Sequence, residues 1–223
     1  MTERPFVVAI DGPAASGKGT LARRLAAALD LAHLDTGLFY RAIGLAILRA
    51  GQAPSDEAAA VAAAQGLAPE ALEDPELRQD HVAEAATKVA ALPAVRACLL
   101  PLQRAFAACP PVGKKGVVVE GRDIGTVVLP AANAKLFLTA SLEIRAERRL
   151  KELRERGVKG IRSRILREMR ERDQRDATRA IAPLRPAEDA VTLDTTELDA
   201  DAAFEAAMKI IRSQRQRADK DRP

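Results

Sequence analysis

The chain of 223 residues has no tryptophan and a single tyrosine, so single-stranded nucleic acid would find few rings to stack on. No apolar run approaches the ~18 residues needed to span a bilayer. The opening residues MTERPF show neither a basic n-region nor an apolar h-region, and no secretory signal is expected. There are only two cysteines, Cys98 in an Ala/Leu-rich helical context and Cys109 beside a Pro-Pro turn. Their spacing does not suit a metal, so they read as reduced thiols of a cytoplasmic protein. His33 and His81 have no metal-like partners nearby and read as structural; no protein-held metal site is expected. The remainder is ordinary for a globular chain. It is 48% hydrophobic and 30% charged, with room for one α/β domain and an appended lobe.

Charge is spread unevenly. Residues 145–179 hold 14 Arg or Lys against 7 Asp or Glu, so this stretch carries +7 and the rest of the chain −3. A basic segment of this kind either meets polyanions or is a solvated helix face laced by i,i+4 ion pairs. Its place relative to the phosphate-binding motif decides between them.

That motif lies near the start. Phe6-Val7-Val8-Ala9-Ile10 is an unbroken apolar run rich in β-branched residues, which suits a strand buried on both faces. A Gly-rich turn follows from Asp11 to Gly19, and then Leu21, Leu25, Ala28 and Leu29 recur at helical spacing. Gly12-Pro13-Ala14-Ala15-Ser16-Gly17-Lys18 fits G-x-x-x-x-G-K, a loop whose backbone amides wrap a chain of phosphates. The following helix N-terminus adds its positive dipole end, and Lys18 supplies a point charge for the terminal phosphates. Gly19 stands where Ser or Thr usually follows the lysine, and the hydroxyl is Thr20. G-K-G-T is the form found in nucleoside-monophosphate kinases.

Further along, His33-Leu34-Asp35 reads as a short strand and Thr36 as the N-cap of a helix with the stripe Phe39, Ile43, Ala46 and Ile47. Arg41 lies off that stripe, one turn into the helix, where it could hold a second phosphate. From Gly51 to Asp80 the chain is Ala- and Pro-rich, with a short helix near 56–64 and no run of strands, which reads as a mobile helical insertion. Val82 to Ala108 is a helical region interrupted at Pro93 and Pro101, carrying Thr87 and Arg96. Strands are expected at Gly116–Glu120, Ala134–Thr139 and Val191–Asp194. Separated by helical segments, they imply a parallel sheet. Ligands of such sheets sit at the carboxyl ends of the strands, which is where Asp11, Asp35 and the turn Glu120–Asp123 fall. Ser141 is a further N-cap, of a helix to about Arg156; a Gly-containing break and a second basic helix, about Ile161 to Ala180, follow. The pair looks like a lid. A closing helix over about Asp199–Arg212 precedes a polar, frayed tail from Ser213.

Arg172, Asp176 and Arg179 stand at i, i+4 and i+7, one face of a helix. Two arginines flanking a carboxylate suit a sugar phosphate, because the guanidinium fork binds phosphate oxygens bidentately and stays charged. Arg162, Arg164 and Arg170 fit a self-paired ionic face better.

The stretches IDGPAASGKGT, LDTGLFYRA, KVAALPAVR, GRDIGTVV, FLTAS, ERDQRDATRAIAPL and VTLDTT, in this order, closely resemble the bacterial cytidylate kinase family over nearly the whole chain. The resemblance implies a three-layer α/β P-loop fold: a core sheet of five parallel strands (about 1–50, 110–145 and 180–215), a helical monophosphate-binding insertion (about 51–108) and a short lid (about 150–170). It implies transfer of the γ-phosphoryl group of ATP to CMP or dCMP, with Mg2+ bound alongside ATP. ATP would be met by Gly12, Pro13, Ala14, Ala15, Ser16, Gly17, Lys18, Gly19 and Thr20. The acceptor's phosphate would be met by Arg41, Arg122 and Arg172, and its base by Thr87, Arg96 and Asp123. Asp176 would take the sugar, Arg179 the base or phosphate, and Thr36 would line the site. Lys18, Arg122, Arg172 and Arg179 would be the catalytic set. The chain is expected to be a cytoplasmic monomer, without nucleic-acid or membrane partners.

Four departures from the family's commonest pattern stand out. Thr36 and Thr87 replace a frequent Ser, keeping the hydroxyl, and Glu120 replaces a frequent Asp before GRD. The stretch Gly51–Asp80 is short and alanine-rich where many members carry a small three-stranded element. Two other readings use the same motifs. Another small-molecule kinase would share the P-loop and lid without the GRD and RD-x-x-R context. A P-loop regulatory module would turn its basic segment to nucleic acid, but aromatic platforms and a helix-turn-helix signature are absent.

Overall fold

The computed structural model describes residues 4–220. By compactness the chain divides into two units, one formed by the chain up to Leu34 and from Pro110 onward, the other by Asp35–Cys109.

The first unit is built on a five-stranded sheet: β1 (Phe6–Asp11), β2 (Ala32–Asp35), β3 (Gly116–Gly121), β4 (Ala134–Thr139) and β5 (Val191–Asp194), in the order β2-β3-β1-β4-β5. β1 pairs parallel with β3 from Phe6↔Gly116 to Asp11↔Gly121 and with β4 from Val8↔Ala134 to Asp11↔Phe137. Central strands covered on both sides explain why Val8, Ala9, Ile10, Val117, Val118 and Val119 are wholly buried and uniformly apolar. On one side α1 (Lys18–Leu29) and the closing helix α8 (Ala200–Lys220) seal the sheet, with Leu21, Ala22 and Leu25 meeting Ala207, Met208 and Ile211 in one core. Asp199 starts α8 by accepting the amides of Asp201 and Ala202 at 2.9 and 2.8 Å. The helix runs on to Lys220, so the tail expected to fray at Ser213 is helical; residues 221–223 lie outside the described residues.

Two further helices of this unit, α6 (Leu142–Glu155) and α7 (Arg162–Thr178), fill the two helical stretches expected after Ser141. Ser141 caps α6, accepting from the Ile144 amide at 3.4 Å, and Gly157 at φ +74 ends it. Their apolar residues Ala146, Leu150, Leu153, Ile165 and Met169 form a small core of their own, against which Ala15 of the Gly-rich loop packs. A Cβ on Gly160 would come within 2.8 Å of Leu150 and 3.0 Å of Ile165, so the break between the helices lies directly on that core. α7 stops at Thr178. Arg179 is therefore its C-cap at φ −56, ψ 134, outside the helix rather than on its face.

The second unit contains α2 (Gly37–Arg49), α3 (Glu57–Gln65), α4 (Asp80–Val89) and α5 (Pro93–Ala108), with two 3-10 turns at Pro69–Glu73 and Pro75–Arg78. α3 is capped by Asp56, which accepts the Ala59 amide at 3.1 Å. Gly44 lets α2 approach α4, since a Cβ there would sit 3.1 Å from Ala85. Ala46 is exposed, and the buried face of α2 instead comprises Phe39, Ala42, Ile43, Leu45 and Ile47. Pro93 opens α5 after a sharp bend of 99° from α4, but Pro101 lies inside α5 without ending it. Among the described residues, no single helix is long and apolar enough to cross a membrane.

Candidate active site

The loop between β1 and α1 has the backbone of an anion cradle. Gly12 sits at φ +148 so close to β4 that a Cβ would be 2.0 Å from the Leu138 carbonyl oxygen, and Gly17, capping α1, sits at φ +95. Ala15 also takes a positive φ, of 57°. Three loop carbonyls are held by cations or a hydroxyl. Lys18, itself buried, donates to Pro13 O at 2.7 Å. From α6, Arg145 donates to Ala14 O at 3.3 Å and Arg148 to Ser16 O at 3.4 Å, and the Thr195 hydroxyl reaches Ser16 O at 3.2 Å. Because C=O and N–H of a trans peptide point opposite ways, fixing those two carbonyls turns the Ala15 and Gly17 amides the other way. The Ser16 hydroxyl is buried within this loop without a hydrogen-bond partner.

Asp11 closes β1 just before the loop and is 4% exposed. Its two oxygens accept the consecutive amides of Ile124 and Gly125, each at 2.8 Å. Those amides open a single π-helical turn, Ile124–Val128, immediately after Arg122 and Asp123. Burial pushes the Asp11 carboxyl up to about 6, and the nearby Asp123 charge adds to this against the opposing pull of the two amides and Lys18. At the end of β3, Glu120 is buried and takes a 2.9 Å contact from His33 Nε2.

Arginines converge on Asp176. Arg122 Nε donates to Asp176 Oδ2 at 3.0 Å, and Arg179 Nη2 stands 4.0 Å from Oδ1. Burial, the largest single influence on this carboxyl, would raise its pKa. The charges of Arg122, Arg172 and Arg179 together outweigh it and hold Asp176 below the usual carboxylate range. One residue beyond Arg172, Asp173 accepts from Arg145 Nη2 at 2.6 Å. Arg145 thus joins the arginine-bearing helix to the phosphate loop.

The remaining anticipated residues lie in the second unit. Arg41 on α2 donates to Leu77 O at 2.7 Å, Thr87 on α4 to Ala83 O at 3.0 Å within its own helix, and Arg96 on α5 to Ala90 O at 3.4 Å. Arg96 also lies 5.8 Å from the centre of the Tyr40 ring, a cation–π distance. Thr36 precedes α2 but does not cap it: its backbone is helical (φ −67, ψ −19), and Asp35 Oδ1 takes the Gly37 amide at 2.9 Å instead. Of the arginines expected on a self-paired face, Arg164 pairs within its own helix with Glu168 at 2.6 Å, whereas Arg162 reaches across to Glu147 on α6 at 3.5 Å.

Sequence reasoning did not single out Arg145, Arg148, Asp173 or Thr195, nor the clamp formed by Asp11. A carboxylate ending a wholly apolar strand was the one available signal for Asp11. Nothing in the sequence separates Arg145 and Arg148 from the exposed arginines around them.

A phosphate loop joining the first strand of a parallel sheet to its first helix, tied to a helix that carries an arginine–carboxylate cluster, is the frame of a P-loop phosphotransferase. The sequence matches the family profile described as Cytidylate kinase over residues 8–213. It is 61% identical over 209 residues to the cytidylate kinase of Paramagnetospirillum magneticum, covering 94% of this chain and 99% of that protein. The cytidylate kinase of Rhodospirillum rubrum is 54% identical over 206 residues, 92% of this chain and 97% of the relative. Among solved structures, an uncharacterized protein from Eubacterium ventriosum shares the fold at TM-score 0.53 and 16% identity, covering 94% of this chain and 99% of its own. A gluconokinase from Sinorhizobium meliloti does so at TM-score 0.52 and 15% identity, covering 99% and 100%. The chain belongs to the cytidylate kinase family.

Proposed function

We propose that the phosphate loop and the arginine cluster around Asp176 carry out the reaction that defines this family, transfer of the γ-phosphoryl group of ATP to CMP or dCMP, giving CDP or dCDP. The observation that carries the residue assignment is the connection from Ala14 O through Arg145 to Asp173, next to Arg172, which links the loop to the cluster. In this reading Gly12 to Thr20 hold ATP, while Thr36, Arg41, Thr87, Arg96, Arg122, Asp123, Arg172, Asp176 and Arg179 hold the acceptor.

The protein has little covalent work to do. The acceptor's phosphate is already a nucleophile near neutral pH, and no dedicated general base is required. Catalysis comes from lining up the acceptor oxygen with the γ-phosphorus and offsetting the spread negative charge. Lys18 leaves Pro13 O for the terminal phosphates, and Arg122, Arg172 and Arg179 neutralise oxygens on either side of the transferring group. Magnesium would be held by the nucleotide's own phosphate oxygens and the Thr20 hydroxyl on the exposed first turn of α1, where it would neutralise phosphate charge. A Cβ at Gly19 would lie only 3.4 Å from Glu120 Oε1, so Glu120 is near enough to this turn to order the ion's water. Closing the lid keeps water from taking the phosphoryl group. Both cysteines are free, as expected of reduced thiols.

Asp123, 5% exposed, is the residue proposed to read the base. Cytosine offers the N4 amine, a donor, where uracil offers O4, an acceptor, and an ionised carboxylate can only accept. A coupled assay with ATP and a panel of nucleoside monophosphates tests the whole reading. CMP and dCMP should be used, with kcat/KM for CMP above that for UMP by ~10² or more. Equal use of CMP and UMP would remove the role of Asp123, and failure on both cytidylates would remove the function itself.

A further inference from the structure

Asp11 lies outside every group that touches phosphate, sugar or base in the reading above, yet it is among the most buried carboxylates of the first unit. Both of its oxygens are committed to backbone amides, and both amides belong to the turn that presents Arg122 and Asp123. The contact is held from two directions. Asp11 pairs with Gly121 in the sheet, which sets the start of the turn. Gly125 is enclosed: a Cβ there would meet Lys135 Cδ at 3.2 Å and Asp11 Oδ2 at 3.4 Å. Lys135 is kept in place by Pro130 O and by Asp189 at 2.8 Å. One side chain therefore determines where the polypeptide goes directly after Asp123.

We propose that Asp11 is a positioning residue for base selection: its ionised carboxylate, by accepting both the Ile124 and Gly125 amides, fixes the turn so that Asp123 faces the cytosine amine. The inference rests on the reading of Asp123 given above. An ionised carboxylate is an acceptor at both oxygens, matching two donors. A protonated one presents a hydroxyl to one of the amides, so a donor faces a donor and the turn is released. The charged groups around Asp11 are Asp123 in the turn and Lys18 at the start of α1. Lys135 on β4 turns its ammonium to Asp189, and Glu120 on β3 is engaged by His33. With burial pushing the Asp11 carboxyl up to about 6, the clamp changes state within the range where nucleotide kinetics are measured.

The experiment compares wild type with Asp11→Asn, an isostere of the protonated acid, from about pH 5.5 to about pH 8. Steady-state kcat/KM is taken for CMP and UMP, KM for ATP, and thermal unfolding for each protein. The acceptor phosphate has its own pKa near 6, as phosphate monoesters do, but CMP and UMP share it and it cancels in their ratio. In wild type the CMP/UMP ratio should fall several-fold toward the acid end. In Asp11→Asn it should be about tenfold lower at the alkaline end and flat across the range, with KM for ATP within about twofold of wild type.

An unchanged ratio in the variant overturns the proposal, and so does a rise in KM for ATP that matches the loss for CMP, which marks a merely structural role. A wild type without discrimination overturns the Asp123 reading and this proposal with it. A wild type that discriminates beside an equally discriminating variant overturns this proposal alone. Should Asp11→Asn not fold, the wild-type profile decides, a flat ratio counting against the proposal and a falling one for it.

Discussion

At the scale of single residues, charge placed in low dielectric decides most of what this molecule does. Lys18 is 6% exposed and rests on a loop carbonyl, from which it would move to the phosphates in the proposed reaction. Its charge matters most as the β–γ bond loosens. Lys18→Met should lower kcat by ~10² or more while weakening ATP affinity far less, a difference that pre-steady-state and binding measurements resolve. Asp176 behaves differently, because its carboxylate is what keeps Arg122, Arg172 and Arg179 together in the free protein. Its folded pKa lies below the unfolded value of 3.8, so its contribution is present above about pH 4 and is lost as pH falls through the folded value. Urea unfolding should find Asp176→Asn less stable than wild type by about 3 kcal/mol at neutral pH, with the gap closing in acid.

At the scale of elements, local sequence rules held wherever local forces dominated. The strand ahead of the phosphate loop, the Ser141 cap and the short helix after Asp56 were all legible, since apolar periodicity and capping chemistry act within a few residues. Pro101, expected as a break, lies inside α5. It lies on the exposed side of α5, and Ala97, whose carbonyl loses the missing amide, is exposed too, so water can take that bond's place. The helix carries the proline at a cost. Pro101→Ala should stabilise the protein by about 1–3 kcal/mol without changing its kinetics, as chemical denaturation would report. Thr36, expected as a cap from its hydroxyl ahead of an apolar stripe, and Arg179, expected on a helix face at i+7, are each displaced by backbone geometry: Asp35 takes the capping amide, and α7 ends one residue before Arg179.

At the scale of the whole molecule, the stretch of the second unit from Gly51 to Asp80 should open readily. Between Gly51 and Asp80 only Ala60, Ala64 and Leu77 are buried apolar side chains, and much of the backbone is in 3-10 turns. Amide exchange there should be fast in the free protein and slow with CMP bound, and uniformly slow exchange without ligand would refute this. What the sequence alone determined is substantial. The phosphate loop, the five strands, the helix pair α6 and α7 and the family all follow from contiguous motifs, because each is written in residues near one another in the chain. Only the tertiary structure decided which of many arginines brace the loop and which face solvent, and that Asp11 clamps amides 113 and 114 residues away. The physical reason is that a hydrogen bond depends on separation in space, and for Asp11, Arg145 and Arg148 that separation is set by the sheet register and helix packing. Neither leaves a periodic trace in the sequence around those residues.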